Sequence, residues 1–541
     1  MPTVNSTSDE EPLLSGNRQL YNASDSEDEG DTLFERRTSN ERDADEDARG
    51  RLTYEEAIEV AGFGPFHGLL LLVCGWANAS DAVEIVGVSF LLPTARCDLL
   101  LSSSDMGLLT ASIFLGMMAG GYLWGYMADR RGRCSVLVVS LTVNGVFGGL
   151  ASAAQRFWLF LLLRFISGVG VGGSIPVIFS YFSEFIPRLR RGAMISALAT
   201  FWMAGNILAA GLAWLVIPGS WAHFSLGPLD FQSWRVFVVL CSIPSITSAI
   251  IFKLFMPESP KFLTEAGRET EAIQVFRQMH RVNTLGKGTS FPEFSLHVNV
   301  KQREDKTQTR QACGRLGAVL KQGLMPVRLM FSGNLKSRSI VLLLIFYCIS
   351  FSYYGLWMWF PELFARMEDG GSPCASNVSA ATAQPNHSCY PVNTVVYEEG
   401  FFIAAANLPG NIFTILVMDT VGGRLLLSSS LLVSSLSVFL IYAVQTKTQS
   451  LVLSCLFSGV SVIAWNALDV VGTELYPTQL RSSALGVFTG AGRVAAIMGN
   501  VAFGSLVDSD CAVPVLLVSG LLLAGGVVAL FLPRSKQTEL A

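Results

Sequence analysis

Twelve apolar stretches, each of about 20 residues or more, constrain this chain more than any other feature of its sequence. A helix of that length rises about 1.5 Å per residue and crosses the roughly 30 Å of hydrocarbon in a bilayer. Charged residues make up 15% of the chain, against about a quarter in soluble domains. The sequence therefore predicts an all-α integral membrane protein with twelve transmembrane helices, near residues 66–92, 104–127, 135–154, 159–183, 192–218, 235–256, 338–361, 398–419, 425–445, 449–472, 481–507 and 512–532.

The spacing of these stretches predicts two pseudo-symmetric six-helix bundles joined by a polar linker. The first 60 residues are acidic and lack apolar periodicity, so we expect a disordered tail. Within the linker, residues 262–282 predict one short amphipathic helix. The expected organisation is a tail at 1–60, an N-terminal bundle at 61–257, a cytosolic linker with amphipathic helices at 258–337, a C-terminal bundle at 338–532 and a cytosolic tail at 533–541.

Basic residues beside the stretches predict the orientation. Clusters of arginine follow the second and fourth stretches, whereas the loops on the other side hold isolated basic residues such as Arg96, Arg366 and Lys447. Because basic residues accumulate in cytosolic loops, we predict that both termini and the linker are cytosolic.

The loop at 362–397 then faces the lumen. It carries two acceptor sequons, at Asn377 and Asn386, and we predict that both are glycosylated. Cys374 and Cys389 lie in the same loop, and they either pair in an oxidising lumen or stay free.

Two unrelated motifs occur twice at one offset of 290 residues. The first begins at Asp129 and again at Asp419; the second, Glu-x-x-Pro-x-x-x-Arg, begins at Glu184 and again at Glu474. A shared offset indicates duplicated halves. Because their charged side chains can bond neighbouring helix ends, we predict gating or hinge roles for Asp129, Arg130, Arg133, Glu184, Arg191, Asp419, Arg424, Glu474 and Arg481.

Acidic residues inside the first stretch are the sharpest functional signal. Asn78, Asp81 and Glu84 follow one another at intervals of three, so they share one helix face. A charge at mid-membrane costs several kcal/mol unless it faces water or finds a partner. We therefore predict a role in proton or substrate handling for these residues. Arg164, in the fourth stretch, either takes part in gating or coupling or extends to the luminal surface.

A second group of charged and aromatic residues lies in the C-terminal half. Asp469 and Arg493 occupy neighbouring stretches, where they either form an interhelical pair or handle substrate. Several aromatic residues fall deeper than the headgroup belts, and such rings often line a cavity. We predict that the pocket is lined by Trp202, Tyr353, Tyr354 and Trp465.

Several short segments resemble the synaptic vesicle glycoprotein 2 family of the major facilitator superfamily. They are Gly168–Pro176, Phe179–Phe185, Ser350–Leu356, Leu408–Asn411 and Trp465–Val470, and the likeness extends from about Tyr54 to Pro533. The resemblance implies the major facilitator fold, with two bundles around a central cavity and alternating access. It also implies functional roles for the acidic face and for the aromatic pocket with Asp469.

The chain departs from that family between its seventh and eighth stretches. The family carries a large luminal domain there, whereas about 35 residues stand in this chain. A receptor role and a neuronal location are therefore not carried over. The resemblance favours a member with a short luminal loop or a synaptic vesicle 2-related protein.

The N-terminal tail contains an acidic dileucine pattern. Asp9 precedes Leu13 and Leu14 by the spacing that adaptor proteins bind on a flexible cytosolic segment. We expect an endosomal, lysosomal or secretory-vesicle membrane, with the plasma membrane as an alternative.

Two classes of function fit these features. The first is a secondary active transporter, proton-coupled through Asp81 or Glu84, that moves a small organic cation, zwitterion or sugar by alternating access. The second is a non-transporting organiser or receptor that keeps the carrier fold. We expect no enzyme activity, cofactor or metal, because the chain has only five histidines and lacks metal-ligand clusters, a nucleophile elbow and a phosphate loop. The expected partners are a small solute, protons, lipid and adaptor proteins, but not nucleic acid.

Overall fold

The computed structural model describes residues 51–533, apart from 227–228, 285–290, 292–294, 297–326, 334, 371–392, 445, 477 and 510–511. Within these residues, twelve helical spans are long and apolar enough to cross a membrane. This agrees with the expected all-α fold. We call the ends of the spans cytosolic and luminal by the orientation predicted above.

The N-terminal half contains one short helix and six spans. A short strand, β1 (Arg51–Leu52), precedes them, and a luminal hairpin of β2 (Phe224–Leu226) and β3 (Leu229–Phe231) follows a 3-10 turn at Ser220–Ala222. The helices are α1 (Tyr54–Ala61), α2 (Pro65–Asp98), α3 (Ser103–Arg131), α4 (Arg133–Ala151), α5 (Phe157–Ser183), α6 (Arg188–Val216) and α7 (Ser233–Phe255).

The linker and the C-terminal half supply the remaining elements. The linker contains α8 (Pro260–Glu265), α9 (Glu269–Asn283) and the strand β4 (Ser295–Leu296). The other helices are α10 (Leu335–Trp357), α11 (Phe360–Gly370), α12 (Thr394–Ala405), α13 (Asn407–Val421), α14 (Gly423–Ala443), α15 (Lys447–Glu474), α16 (Thr478–Leu506) and α17 (Ala512–Ala529).

Two predicted single helices are broken in the structure. The expected helix at 338–361 ends at Trp357 and resumes as α11, because Pro361 has no N–H to continue the ladder. The expected helix at 398–419 divides at Ala406, with Pro409 in the first turn of α13.

The cytosolic segments also differ from the predictions. The single helix expected at 262–282 is wrong, because Gly267 adopts a φ of +80° and separates α8 from α9. The expected disorder does not extend to residues 54–60, which form α1. Thr53 caps that helix through Glu56, whose backbone N–H donates to the threonine hydroxyl.

The two halves contact each other at their luminal ends. Gly107 of α3 lies against Gly504 of α16, so close that a Cβ on Gly107 would lie 3.0 Å from the Gly504 Cα. On the other side of the interface, the rings of Trp214 (α6) and Phe401 (α12) are 5.7 Å apart. These contacts close the luminal side in this structure.

Candidate functional site

An ion pair lies entirely inside the N-terminal half. Nη1 of Arg164 on α5 donates to the Glu84 carboxylate on α2, and Nη2 donates to the Glu84 carbonyl oxygen at 3.1 Å. The side chains are 2% and 0% exposed. The alternative in which Arg164 extends to the luminal surface is therefore wrong: the acidic face of α2 provides a partner that compensates the buried charge.

Asp81 lies one helical turn away in a different environment. Its carboxylate accepts a hydrogen bond from the Ser174 hydroxyl at 2.6 Å and another from the Asn144 amide at 3.1 Å. Among the described residues, no basic side chain forms an ion pair with Asp81. A carboxylate that is fully buried with neutral donors is stabilised in its protonated form, because its charged form loses hydration without gaining a counter-ion.

The two acids are joined by a chain of hydrogen bonds. Ser167 lies 2.8 Å from the Glu84 carboxylate and 3.0 Å from the Asn144 amide oxygen, and it can donate its proton to either. The Asn144 amide also donates to Ser245 of α7 at 3.0 Å. Four helices of one bundle thus surround both acids. Neither Asn144 nor the three serines were among the sequence-predicted residues.

Asn78, the third residue on the predicted face, contacts another helix. It is buried, and its amide nitrogen donates to the Leu198 carbonyl oxygen of α6 at 3.2 Å. Asn78 therefore connects α2 with α6, and it does not bond to Asp81 or Glu84.

Three of the four predicted pocket aromatics lie together. The Tyr354 ring is 5.3 Å from Tyr353, 6.0 Å from Trp465 and 4.9 Å from Phe114 of the other half. Trp202 on α6 is half-buried and makes no described ring contact with them. The aromatic cluster lies where the two halves meet, and the sequence missed Phe114.

Polar residues continue this interface toward the cytosol. The Asn466 amide on α15 donates to the Asn411 amide oxygen at 2.8 Å, and the Asn411 amide donates to Thr200 of the N-terminal half at 3.2 Å. Asp469, one turn from Trp465, is exposed although it lies within a membrane span. An exposed carboxylate in a span indicates a water-accessible space between the halves.

The predicted pair of Asp469 with Arg493 is absent. Both side chains are described, and no ion pair joins them. The Arg493 guanidinium instead lies 5.9 Å from the Phe114 ring centroid and 5.9 Å from the Tyr354 ring centroid. The Arg493 side chain therefore faces α3 and α10, within the aromatic cluster.

The predicted gating residues of the N-terminal half form a cytosolic cluster. The Arg133 guanidinium lies 3.3 Å from the Glu184 carboxylate and 3.8 Å from the exposed Asp129. The Ser259 hydroxyl, which follows α7, also donates to Glu184. Burial raises the pKa of Glu184 above its ordinary value, and the Arg133 charge opposes that rise. The cluster joins elements of one half and does not bridge the two halves.

Residues that the motifs did not include complete this cluster. The Glu258 carboxylate accepts from the Cys134 backbone N–H at 2.9 Å, at the start of α4. A negative charge is favourable at that helix end. Arg191 lies 3.4 Å from Glu55 of α1, and the exposed Arg130 packs over the Tyr126 ring at 4.4 Å.

The C-terminal copies of the motifs are less fully described. Arg424 donates to the Leu530 carbonyl oxygen, and Glu474 is exposed at the end of α15. Asp419 and Arg481 lie on helices, but their side chains are outside the described set. The gating role of these four residues stays a prediction.

A luminal ion-pair cluster joins the two halves. Glu362 of α11 is buried and lies 2.7 Å from Arg96 of α2 and 2.9 Å from Arg366. Arg366 also lies 3.0 Å from Asp508 and donates to the Ser103 hydroxyl of α3 at 2.9 Å. The sequence showed Arg96 and Arg366 only as isolated basic residues, because their partners are distant along the chain.

Several predicted residues lie outside the described part of the chain. They are the sequon residues Asn377 and Asn386, the sorting residues Asp9, Leu13 and Leu14, and the cysteines Cys374 and Cys389.

Cys97, at the luminal end of α2, is disulfide-bonded.

A model of the family described as "Sugar (and other) transporter" matches residues 33–344, more than half of the chain. The chain belongs to this family. It is a multi-pass membrane protein of the transporter class.

The most similar relatives include the synaptic vesicle glycoproteins 2. Human synaptic vesicle glycoprotein 2B is 32% identical, with 90% of this chain and 86% of the relative covered. Human synaptic vesicle glycoprotein 2C is 31% identical over 94% of this chain and 84% of the relative. The resemblance read from the short segments is confirmed.

Solved transporters share the fold. The xylose transporter XylE from E. coli in an inward open conformation has a TM-score of 0.61 and 17% identity, with 87% of this chain and 98% of that chain covered. A further structure is described as the major facilitator superfamily proton:xylose symporter XylE, with a TM-score of 0.57 and 17% identity over 86% of this chain and 95% of that chain. The major facilitator fold is confirmed.

Proposed function

We propose that this chain is a proton-coupled secondary transporter that moves a small organic solute across an organelle membrane by alternating access. The observation that carries the proposal is the pair of buried acids on α2. Glu84 has a counter-ion in Arg164, whereas Asp81 has only neutral donors.

The difference between the two acids assigns their roles. A charged Glu84 has its counter-ion in Arg164, so we assign it a structural role in the bundle. Asp81 can lose its proton only when water or a counter-ion reaches it, which requires movement of the surrounding helices. Asp81 is therefore the proposed titrating group, and Asn144 and Ser167 connect its protonation to the Glu84–Arg164 pair.

The solute site in this proposal is the aromatic cluster between the halves. Tyr354 and Trp465 provide flat surfaces that suit a planar or ring-shaped solute. Movement of the halves about this cluster would expose it to each side in turn. The luminal contacts of Arg96 with Glu362 and of Arg366 with Ser103 join the halves, and such movement would break and reform them.

The proton-coupled XylE supports this proposal through its fold alone. The relatives named as synaptic vesicle glycoproteins support a vesicle or endolysosomal location. The acidic dileucine pattern at Asp9, Leu13 and Leu14 supports recruitment of adaptor proteins to the tail.

Replacement of Asp81 by Asn tests the coupling role. The full chain is reconstituted in liposomes loaded with a cell metabolite extract, and solutes that accumulate under an acid-inside or acid-outside gradient are measured by mass spectrometry. We expect Asp81→Asn to abolish gradient-driven accumulation while exchange without a gradient survives, because exchange does not require deprotonation. Asp81→Glu, which keeps the carboxylate, should retain part of the accumulation. Normal accumulation by Asp81→Asn would exclude Asp81 as the coupling group.

The non-transporting organiser is the second candidate function. The two candidates differ in what deletion of residues 1–50 should do. The deletion should remove the activity of an organiser, whereas it should leave solute exchange by a carrier in liposomes unchanged. Absence of any solute exchange by the full chain would favour the organiser.

A further inference from the structure

The guanidinium of Arg493 is in an unusual environment for a charge inside a membrane span. Arg493 lies near the middle of α16, and its side chain contacts Phe114 of the N-terminal half and Tyr354 of the C-terminal half. Its Nη1 atom is buried and has no hydrogen-bond partner among the described residues. The residue as a whole is partly exposed, and its guanidinium lies between rings of the two halves.

Two other arginines of the span helices are buried, and each has a carboxylate partner. Arg164 bonds both the carboxylate and the carbonyl oxygen of Glu84. Arg235 lies 2.8 Å from Asp98 and also donates to the carbonyl oxygens of Ser152 and Ala154. The bundle therefore compensates its structural arginines, and within the described residues Arg493 has no comparable partner.

Two aromatic rings cannot replace an acceptor for Arg493. Attraction between a cation and a ring face is worth about 0.5–2 kcal/mol, and the ring gives the Nη1 hydrogens no oxygen to bond. The rings do restrict where the guanidinium can move. The planar fork is thus held in place with its Nη1 donor unpaired, and such a fork can bind a carboxylate through two parallel hydrogen bonds.

The position of Asp469 supports the same conclusion. It is the carboxylate that the sequence offered as a partner, yet it is exposed and does not pair with Arg493. The site therefore keeps one cationic and one anionic group apart. A solute with an anionic group can reach Arg493 without first breaking an internal ion pair, and a zwitterion can also place its ammonium near Asp469.

We propose that Arg493 binds the anionic group of the solute, so that the transported class is a small organic acid or zwitterion with a carboxylate beside a flat apolar portion. This inference deepens the proposed function, and it rests on that function for the claim that the bound solute is transported. The binding site itself does not depend on proton coupling.

Three small probes of similar shape test the site: phenylacetate, phenethylamine and 2-phenylethanol. Their affinity for the purified full chain in detergent is measured by quenching of tryptophan fluorescence, since Trp465 borders the site. We expect phenylacetate to bind best of the three. Arg493→Gln should weaken phenylacetate at least about ten-fold, the effect of losing one charge-assisted hydrogen bond, while 2-phenylethanol should be unaffected.

Matched variants separate a specific role from a loss of folding. Arg493→Lys keeps the charge but not the fork, so its affinity for phenylacetate should fall between those of the parent and Arg493→Gln. Asp469→Asn should not weaken phenylacetate, because it removes a negative charge. Arg268→Gln, at the exposed position that precedes α9, should behave like the parent.

The outcomes are distinct from those of the coupling test. Tighter binding of phenethylamine than of phenylacetate, equal phenylacetate affinity in the parent and in Arg493→Gln, or no phenylacetate binding at millimolar concentration would each overturn the proposal. These measurements use no pH gradient. Failure of the Asp81→Asn prediction would remove proton coupling and leave the Arg493 result unchanged.

Discussion

The Arg164 guanidinium bonds both the side chain and the main chain of Glu84, with Nη2 at 3.1 Å from the Glu84 carbonyl oxygen. One residue of α5 thereby fixes the position and the charge of one residue of α2. Arg164 forms no ion pair with the neighbouring Asp81, which is joined to Glu84 only through Asn144 and Ser167 among the described residues. The two carboxyl groups lie one turn apart, yet their environments differ: Glu84 has a counter-ion and Asp81 has neutral donors.

Removal of one partner from this pair should destabilise the protein strongly. We expect Arg164→Gln to lower the free energy of unfolding by about 3–5 kcal/mol, because it leaves the buried Glu84 charge without a counter-ion. The measurement is denaturant or thermal unfolding of the purified protein in detergent. The double variant Glu84→Gln, Arg164→Gln is the control and should recover most of the loss. Equal losses in the single and double variants would show that the two residues act independently.

The luminal cluster should control the balance between conformations. Glu362 is buried and bonded to Arg96 and Arg366, so Glu362→Gln weakens the ion pair with Arg96 across the halves and also the pair within α11 that holds Arg366 beside Ser103. We expect more of the lumen-open state, seen as longer distances between spin labels attached at Leu100 and Ser509 on either side of the interface. Asp508→Asn is the matched control. Its carboxylate is 55% exposed, and solvent limits such a pair to about 1 kcal/mol or less.

The close approach of α3 and α16 should be sensitive to a single methyl group. A Cβ on Gly504 would lie 2.7 Å from the Ser103 carbonyl oxygen and 2.8 Å from the Gly107 Cα. Both are backbone atoms that cannot turn aside, so Gly504→Ala should prevent full luminal closure and slow transport. Gly486→Ala, on the same helix with no atom within 4 Å of the added methyl group, is the control. Equal transport by the two variants would contradict this interpretation of the interface.

The helices and the two halves could be predicted from the sequence because hydrophobic length and a repeated offset do not depend on how helices rotate. The partners of the buried charges could not. Asn144 and Ser174 are uncharged polar residues in largely apolar helices, and nothing local indicates which neighbour they face. The same limit applies to the pair of Asp469 with Arg493, because nothing local in the sequence indicates that Arg493 faces Phe114 and Tyr354 instead.

The gating motifs illustrate a second limit. Their spacing correctly indicated that Arg133 and Glu184 belong to one functional unit, but not which elements that unit joins. The structure adds Ser259 and Glu258, which lie more than 70 residues beyond Glu184 in sequence. Only the packing of α8 under the bundle brings them to the cytosolic ends of α4 and α5.

The protonation of Glu184 should make stability depend on pH. Burial raises its pKa above the ordinary value of 4.5, so the folded protein holds this proton more tightly than the unfolded chain does. The contribution to stability is therefore fully present below pH 4.5 and is lost as the pH rises through the higher folded-state pKa. Glu184→Gln cannot titrate, so its stability lacks this pH-dependent contribution. We expect the free energy of unfolding of the parent to fall relative to that of this variant as the pH rises, measured by unfolding in detergent across that range. Glu59→Gln, the same change on an exposed face of α1, should shift stability by no more than about 0.5 kcal/mol. A difference between the parent and Glu184→Gln that stays constant with pH would mean that burial does not penalise the charged form of Glu184.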